Sequence, residues 1–474
     1  NVYCEIFPCT ASIDEMLGFD PQGLILSGGP YSVYESDAPS CPSGILEIGL
    51  PVLGICYGLQ FMAYHLGGKV HPGQKREYGP AELDLLSDSG LFHGVDRLTR
   101  VWMSHGDKLD TPPPGFEIIA RTDNAPIAAV MHREKRLYGL QFHPEVVHTS
   151  QGNAILGNFL FEICQCKPDW TMASFIEMST KAIRKEIGES GSVLLGLSGG
   201  VDSAVAAALI HRAIGDRLTC IFVDNGLLRK NEAKQVLDFF QDRFGFNLKF
   251  SDSSEKFLKE LVDVTDPEEK RKIIGRVFIE VFEMVAEEVE RGRAGEPCPT
   301  PITHLAQGTL YPDVIESVSF RGPSATIKSH HNVGGLPERM GLALLEPFRE
   351  LFKDEVREIG RELGLPDKII FRQPFPGPGL AVRILGKITP EKLDILRAAD
   401  SILLEEVRTG GFYEQAWQTF CVLLPVKTVG VMGDFRTYEY VVAIRAVTSL
   451  DGMTADWMRL PDELLARISG RIIN

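Results

Sequence analysis

Two Gly-rich turns, each lying between an apolar strand pattern and a helical pattern, constrain this chain more than any other feature. The first is Gly54-Ile55-Cys56-Tyr57-Gly58, which ends the apolar run Pro51–Ile55. The second is Ser198-Gly199-Gly200-Val201-Asp202-Ser203, which follows the apolar run Val193–Leu197. Strands that end in loops rich in reactive residues are typical of α/β domains, whose sites lie at the carboxyl ends of the strands. The sequence therefore predicts two α/β domains, each with a site at such a turn.

The length of 474 residues suggests about three domains at ~150 residues each. Residues 1–166 and 167–371 contain the two α/β patterns, and the polar segment Lys167-Pro168-Asp169 separates them. The tract Phe375-Pro376-Gly377-Pro378-Gly379 marks a further boundary. Helices and two β-rich runs, Cys421–Met432 and Tyr438–Val447, follow it. Residues 372–474 are therefore predicted to form an α+β domain.

The first residues of the chain carry a separate expectation. Asn1 is not an initiator methionine, and Asn1–Pro8 already has the pattern of a strand. We therefore expect the opening strand and helix of the first domain to be missing.

Charge, cysteine content and hydropathy exclude several functional classes. The 49 basic and 64 acidic residues give a net charge of −15, so the average surface repels nucleic acid. No apolar run approaches the ~18 residues of a membrane span, and we expect no signal peptide. The nine cysteines form no CxxC pair, which is typical of a reducing compartment. We expect a cytoplasmic protein that contacts neither nucleic acid nor membrane.

The first turn has the form Gly-x-nucleophile-x-Gly, with cysteine as the nucleophile. Cys56 would lie at the start of a helix, where the dipole stabilises negative charge. His143 and Glu145 follow the apolar run Leu137–Phe142 and can act as base and orienting carboxylate. Gly28 and Gly29 end another strand and can offer N–H groups to an oxyanion. The alternative is a buried, inert Cys56 beside a structural His143, but their joint occurrence at strand ends favours catalysis.

This region resembles the class I glutamine amidotransferases. The matching segments are SGGP (27–30), GICYGLQ (54–60), MSHGD (103–107) and QFHPEV (141–146). The resemblance implies an open, mostly parallel sheet and glutamine hydrolysis through Cys56, His143 and Glu145. It also implies oxyanion and glutamine contacts at Gly28, Gly29, Tyr57, Gln60, Ser104 and His105. The segment LTRVW (98–102) leads into MSHGD more abruptly than is usual in that family.

The second turn has the features of a phosphate loop without a Walker lysine. Its glycines permit close approach to phosphate oxygens, and the free N–H groups at the helix start point at the anion. The loop resembles that of the PP-loop ATP pyrophosphatases, which are doubly wound α/β domains that cleave ATP between its α and β phosphates. The resemblance implies ATP contacts at Ser198, Gly199, Gly200, Val201, Asp202, Ser203, Ala204 and Asp224.

Further charged residues are candidates for the same nucleotide site. Asp313 and Glu316 are three residues apart, so on a helical turn both face one way, as a Mg²⁺ site requires. Lys328, His330 and Lys353 could balance phosphate charge. For each of these residues the alternative is a solvated charge or a helix salt bridge.

The whole chain resembles the glutamine-hydrolysing GMP synthase family. The segments that carry this are KRKIIGR (270–276), AQGTLYPDVIES (306–317), KSHHNVGGLP (328–337) and FPGPGLAVRILG (375–386). The resemblance implies ATP as co-substrate with Mg²⁺, glutamine as ammonia donor and XMP as acceptor. It also implies XMP contacts at Arg276 and Arg383, and a homodimer formed by residues 372–474. The chain stops at Asn474, where the family continues into a lysine-bearing tail.

Two other interpretations remain open. One is a different glutamine-dependent adenylating ligase, such as one that makes NAD. The other is an inactive binding protein that keeps the fold. The loss of Cys56, His143 or Asp202 would indicate the second, and all three are present.

Overall fold

The computed structural model describes residues 2–42, 44–87, 90–146, 148–293, 301–313, 341–432, 435–449 and 456–474. The chain divides into two compact units, Asn1–Thr171 and Met172–Asn474. Among the described residues, no helix is both long enough and apolar enough to cross a membrane.

In the first unit, two strands lie within the predicted apolar runs Pro51–Ile55 and Leu137–Phe142. Its elements are α1 (Ile13–Leu17), β1 (Leu24–Leu26), β2 (Val52–Ile55), α2 (Tyr57–His65), β3 (Lys69–Leu85), β4 (Leu98–Thr111), β5 (Glu117–Arg121), β6 (Ala129–His132), β7 (Leu137–Leu140) and α3 (Gly152–Gly157). A wider helical turn over Asn158–Ile163 continues α3.

Seven strands form one sheet within the described part of this unit, in the order β1-β2-β7-β6-β5-β3-β4. β2 pairs in parallel with β1 and with β7, whereas the strands beyond β7 pair in antiparallel fashion. All residues of β2 and β7 are buried. Because parallel strands end at the same edge, the loops after β1, β2 and β7 meet there. The α/β class is confirmed, and the parallel pairing occurs where the predicted site lies.

The expectation of a strand over Asn1–Pro8 is wrong. Residues 2–8 pair with no strand in the described structure. Their aromatic side chains stack instead: the ring of Tyr3 lies 4.6 Å from that of Trp170 and 5.5 Å from that of Phe19. An alternating apolar pattern fits strand pairing and aromatic stacking equally well, so the pattern alone could not separate them.

The second unit is built on a parallel sheet. Its elements are α4 (Met172–Ile187), β8 (Ser192–Gly196), α5 (Val201–Ile214), β9 (Leu218–Asp224), α6 (Glu232–Leu237), β10 (Asn247–Asp252), α7 (Ser254–Glu260), α8 (Pro267–Arg293), β11 (Ile302–Ala306), β12 (Ala343–Leu345), α9 (Lys353–Glu362), α10 (Asp367–Ile370), α11 (Pro390–Thr409), β13 (Gln418–Met432), β14 (Phe435–Thr448), β15 (Asp456–Trp457) and α12 (Asp462–Ile473).

The strands β10-β9-β8-β11-β12 pair in parallel in that order within the described residues. Helices α4, α5 and α9 contribute to a hydrophobic core that contains Ala204, Leu209 and Ile359. Helix α8 contributes Val277 and Val281 to a second core. Helices that cover a parallel sheet in two separate cores form the doubly wound arrangement that the sequence predicts.

The last hundred residues add a long antiparallel hairpin, β13 and β14, with β15 on its edge. The β-rich runs expected over Cys421–Met432 and Tyr438–Val447 lie within β13 and β14. Helix α11 packs against β13 through the second core, which also includes residues of α8. The predicted boundary near residue 372 therefore lies within the second unit, in a region where one core includes residues from both sides of it.

Candidate functional site

The turn between β2 and α2 holds Cys56 in a strained conformation. Cys56 has φ +51° and ψ −103°, and its N–H donates to the Leu140 carbonyl at 2.7 Å. Positive φ is rare for a residue with a side chain and occurs where the surroundings hold it in place. A Cβ on Gly54 would lie 2.6 Å from the Gly58 carbonyl carbon, and one on Gly58 would overlap the Leu26 carbonyl. Both glycines of the predicted elbow are thus required by close packing.

His143 and Glu145 complete a triad with Cys56. His143 Nδ1 lies 2.6 Å from Glu145 Oε1, so the ring N–H donates to the carboxylate. Hydrogen bonds with Cys56 and with Glu145 raise the pKa of His143 to about 10. Gly28 lies between the two reactive side chains, since a Cβ there would be 3.2 Å from His143 Cε1 and 3.7 Å from Cys56 Cβ. The structure brings all four of these predicted residues together.

The sulfur of Cys56 is buried and has two further polar neighbours. The thiol donates to the Ser104 carbonyl at 3.6 Å, and the Gln141 amide donates to Sγ at 3.8 Å. Tyr57 begins α2, so its N–H has no partner within the helix and is available to an oxyanion. A Cβ added at Gly29 would lie 3.6 Å from the Tyr57 ring, so the Gly29 backbone runs close to that ring. The sulfur therefore has one acceptor, the Ser104 carbonyl, and one donor, the Gln141 amide, as neighbours.

The candidate glutamine contacts lie on α2 and β4. Gln60 Nε2 donates to the Asp107 carbonyl at 3.0 Å, and His105 Nδ1 lies 3.0 Å from the same oxygen. His105 Nε2 lies 3.2 Å from Glu77 Oε2. Burial lowers the pKa of His105, which outweighs the effect of the Glu77 carboxylate. These contacts fix the orientation of both side chains beside the cysteine.

The phosphate loop between β8 and α5 is closed by its own serines. The Ser203 hydroxyl accepts from Ser198 N at 3.2 Å and lies 3.0 Å from Ser198 Oγ. Gly200 N donates to Ser198 Oγ at 3.3 Å, and Gly199 has φ +73°. Val201 is the first residue of α5. The N–H groups that begin this helix are thus presented by a rigid turn, which suits an anion.

Asp202 is the charged centre of this second site. Its Oδ2 pairs with Lys353 Nζ at 3.3 Å, while its Oδ1 is buried and has no hydrogen-bond partner among the described residues. A Cβ on Gly308 would lie 3.0 Å from the Asp202 carbonyl carbon, so the loop after β11 packs closely here. Lys353 was one of the predicted candidates. It lies 151 residues after Asp202 in the sequence, and the fold brings it to the phosphate loop.

Comparisons with known proteins agree with both sites. The family "Glutamine amidotransferase class-I" matches residues 1–163, "NAD synthase" matches 175–264, and "GMP synthase C terminal domain" matches 405–474. The glutamine-hydrolysing GMP synthases of Nitratidesulfovibrio vulgaris and Brachyspira hyodysenteriae are each 56% identical to this chain. Both alignments cover 100% of this chain and 90% of the relative. The chain belongs to the glutamine-hydrolysing GMP synthase family.

A third member of the GMP synthase family, from Thermomicrobium roseum, is 57% identical over 100% of this chain and 88% of its own length. The match to NAD synthase covers the phosphate loop, Ala204 and Asp224. Asp224 ends β9, and its Oδ1 accepts from Gly226 N at 2.8 Å. The phosphate loop of this chain therefore lies within the segment that matches the NAD synthase model.

The remaining predicted site residues of this chain differ in their exposure and in their neighbours. Arg276 is half-exposed and pairs with Glu260 and Glu280 on helices α7 and α8. The Arg383 side chain is 3% exposed, with Phe375 and Phe420 against its guanidinium. Asp313 Oδ2 accepts from Leu310 N at 3.1 Å. Glu316, Lys328 and His330 lie outside the described residues.

Three residues near these sites were not predicted. Gln141 lies within the matched segment QFHPEV, two residues before His143, so it could have been found there. Glu77 and Arg372 offered no local signal. Arg372 Nη1 donates to the Gly199 carbonyl at 2.6 Å and its other nitrogen pairs with Glu232. These contacts join segments that are far apart in sequence, which a local pattern does not reveal.

Proposed function

We propose that this protein converts XMP to GMP, with glutamine as the source of ammonia and ATP cleaved to AMP and pyrophosphate. The observation that carries the proposal is identity of 56% to glutamine-hydrolysing GMP synthases over the whole chain. The geometry of the cysteine triad and of the phosphate loop supports it, because each site has the groups that its half of the reaction requires.

In the first half-reaction, Cys56 attacks the side-chain amide of glutamine. His143 takes the thiol proton and passes it to the leaving nitrogen, so ammonia departs and a thioester remains. Water then attacks the thioester, which releases glutamate and restores the thiol. Glu145 keeps the imidazole oriented, and the Tyr57 N–H with the Gly28-Gly29 loop stabilises the oxyanion. Hydrogen bonds with Cys56 and with Glu145 raise the pKa of His143, so the imidazole is a strong acceptor for the thiol proton.

In the second half-reaction, the C2 oxygen of XMP attacks the α-phosphorus of ATP. The bond to the pyrophosphate leaving group breaks, and adenylyl-XMP forms. Ammonia then displaces AMP from C2 to give GMP. The N–H groups of residues 198–204 bind the pyrophosphate portion, Lys353 balances its charge, and Asp224 contacts the nucleoside.

Magnesium is part of this proposal. The buried and unpartnered Asp202 Oδ1 fits a hard cation, and Asp313 and Glu316 are the other candidates. The described residues contain no group of three or more metal-ligating side chains. That is compatible with Mg²⁺, which usually takes one or two carboxylates together with substrate phosphates. When bound, the ion would supply charge neutralisation at the phosphates.

The XMP contacts are proposed for Arg276 and Arg383, with Lys328 and His330 near the phosphates. Arg276 can reach a phosphate from its exposed position if it leaves Glu260 and Glu280. Arg383 is enclosed by the rings of Phe375 and Phe420, so its guanidinium would have to leave them to contact XMP.

A homodimer is proposed from the apolar surface of the terminal hairpin. Val429 and Tyr438 are opposite each other on β13 and β14, and they are 59% and 58% exposed. Val426 and Trp457 are also exposed, at 51% and 66%. An apolar sheet surface of this kind favours association. Light scattering at micromolar concentration should give about twice 52.4 kDa, and a mass near 52.4 kDa would contradict the dimer.

Product analysis tests the central proposal. Purified protein is incubated with ATP, XMP, glutamine and Mg²⁺, and the nucleotides are separated by chromatography. We expect GMP, AMP and pyrophosphate in equal amounts. ADP as the main product would mean that the phosphate loop works differently, and amination of another adenylated acceptor without GMP would favour the NAD-type ligase.

A further inference from the structure

A large cavity in the second unit lies between α6, α10 and α11. Its volume is about 1050 Å³, and its lining includes six cationic side chains: Arg229, Lys230, Lys368, Arg372, Arg397 and Arg408. The proposed ATP contacts, residues 198–204 and Asp224, do not line it. The cavity is therefore separate from the nucleotide groups already described.

One of these cations, Arg229, is buried with few partners: its guanidinium lies 4.3 Å from the centre of the Phe375 ring and pairs at long range with Asp400. The Arg229 side chain is 10% exposed, and its Nε and Nη2 atoms have no hydrogen-bond partner among the described residues. Asp400 Oδ2 lies 3.7 Å from Arg229 Nε, too far for a hydrogen bond, and is itself unpartnered. Buried polar atoms in native proteins are nearly always hydrogen-bonded. An occupant that accepts hydrogen bonds would satisfy the guanidinium.

The guanidinium groups converge on the same space. Burial lowers the pKa of Arg229, and it lowers the pKa of Arg372 to about 10. Arg408 lowers both pKa values further by repulsion, and Arg229 does the same to Arg372. These three cations are therefore close enough to destabilise one another, and an anion between them would relieve that repulsion.

The lining holds five acidic residues against its six cations, so they balance this cluster only in part. Glu232 is bound to Arg372, Glu405 pairs with Arg471, and Asp400 is shared between Arg383 and Arg229. The two others, Asp367 and Glu414, are exposed. Arg408 has its guanidinium 4.4 Å from the centre of the Tyr413 ring and is exposed at the rim.

We propose that this cavity is a second anion site, which binds a phosphate-class oxyanion through Arg229, Arg372 and Arg408. Guanidinium groups match the oxygens of phosphate with paired N–H donors. The volume also admits a group larger than a single phosphate, so the oxyanion is free phosphate, free pyrophosphate or the phosphate of a nucleotide. Because Arg372 also donates to Gly199, occupancy of the cavity is linked to the phosphate loop.

The test uses the rate at which phenylglyoxal modifies Arg408, followed by mass spectrometry of its peptide. The probes are inorganic phosphate, pyrophosphate and GMP, each against potassium chloride of equal ionic strength. We expect at least one probe to slow modification of Arg408 about fivefold, the value for ~80% occupancy. Protection by the inorganic anions indicates a free anion, and protection by GMP alone indicates a nucleotide. Arg212, exposed on α5, is the internal control and should be unaffected.

Two variants secure the interpretation. Arg229→Gln should abolish protection of Arg408, and protection that persists in this variant would overturn the assignment. Because Arg229 is buried, its substitution can destabilise the fold. A second variant therefore changes Arg408, which is exposed. Arg408→Met should lose one pyrophosphate site in calorimetry compared with wild type and with Arg212→Met. Equal stoichiometry and affinity in all three proteins, or unchanged modification with every probe, would disprove the site.

Discussion

The cysteine elbow and the phosphate loop are both turns from a parallel strand into a helix, but they present different groups. At the elbow the residue with positive φ is Cys56 itself, and the reactive atom is its sulfur. In the phosphate loop Gly199 takes the positive φ, and the groups presented are backbone N–H donors. One substitution can remove a side-chain nucleophile, whereas backbone donors survive most substitutions. The two sites should therefore fail in different ways.

The largest expected effect is that of Cys56→Ala. It deletes the sulfur that forms the thioester, so GMP formation from glutamine should fall by about 10⁴-fold or more. Ammonium salts at high concentration above pH 8 should still support GMP formation, because free ammonia replaces the missing product. Chromatographic assay of GMP with each nitrogen source checks this.

His143→Ala should behave in the same way, because it removes the base of the same step. Circular dichroism establishes that each variant is folded. A folded Cys56→Ala protein that has also lost the ammonia-driven reaction would contradict the assignment of two separate sites.

The next largest effect is expected for loss of the Asp202 charge, which lies beside the backbone N–H donors of the phosphate loop. Asp202→Ala removes the carboxylate that pairs with Lys353 and whose Oδ1 is buried with no hydrogen-bond partner among the described residues. Release of pyrophosphate should fall by about 10²–10³-fold with either nitrogen source, since a preorganised charge is lost. Asp216→Ala, which removes an exposed carboxylate beyond the far end of α5, is the matched control. If both variants release pyrophosphate at the wild-type rate, Asp202 has no role in adenylation.

The sequence predicted each turn because its signals are local. Gly54 and Gly58 flank the nucleophile within five residues, one in β2 and the other in α2. The triad was predicted because strand ends in an α/β domain meet at one edge. A local pattern was insufficient at the N-terminus, where Tyr3 stacks on Trp170 rather than extending a sheet.

Contacts between distant segments could not be predicted. Arg372 and Gly199 are 173 residues apart, and Lys353 and Asp202 are 151 apart. Arg383 was predicted to contact XMP, yet its surroundings are aromatic rings and Asp400. A sequence motif identifies a residue type but does not show whether its side chain faces the ligand or supports the loop behind it.

Replacing a glycine should also cost a different amount of stability at each of the two turns. Gly58→Ala forces a methyl group onto the Leu26 carbonyl, and backbone at that position cannot shift easily. We expect a loss of about 3 kcal/mol in the free energy of unfolding. Gly199→Ala places a Cβ at φ +73° and 3.0 Å from the flexible Arg372 side chain, which should cost about 1–2 kcal/mol.

Urea unfolding monitored by fluorescence compares these variants. Gly157→Ala, in helix α3 with only a 3.9 Å contact to Phe161, is the control and should be neutral or slightly stabilising. A Gly199→Ala protein less stable than Gly58→Ala would reverse the expected order of the two turns.

The smallest expected effect is at Glu145, which is 49% exposed. Glu145→Gln keeps the shape of the side chain but replaces the charged acceptor of the His143 hydrogen bond with a neutral amide oxygen, which weakens one of the contacts that raise the pKa of His143. We expect glutamine hydrolysis to fall by about 10–100-fold, the usual cost of losing a group that orients another. The rate of glutamate release at saturating glutamine measures this loss of activity. A loss as large as that of Cys56→Ala would mean that Glu145 does more than orient the ring.

The same variant has a pH signature in stability. His143 has a pKa of about 10 in the folded protein against 6.5 ordinarily, so its charged form stabilises the fold. That contribution is fully present below pH 6.5 and is lost as the pH rises through about 10. The difference in unfolding free energy between wild type and Glu145→Gln should therefore be largest near pH 6 and shrink toward pH 10. Glu162→Gln, which breaks a similar but exposed contact with His93, should show a smaller difference. A Glu145→Gln difference that grows with pH would show that His143 is not held in its charged form.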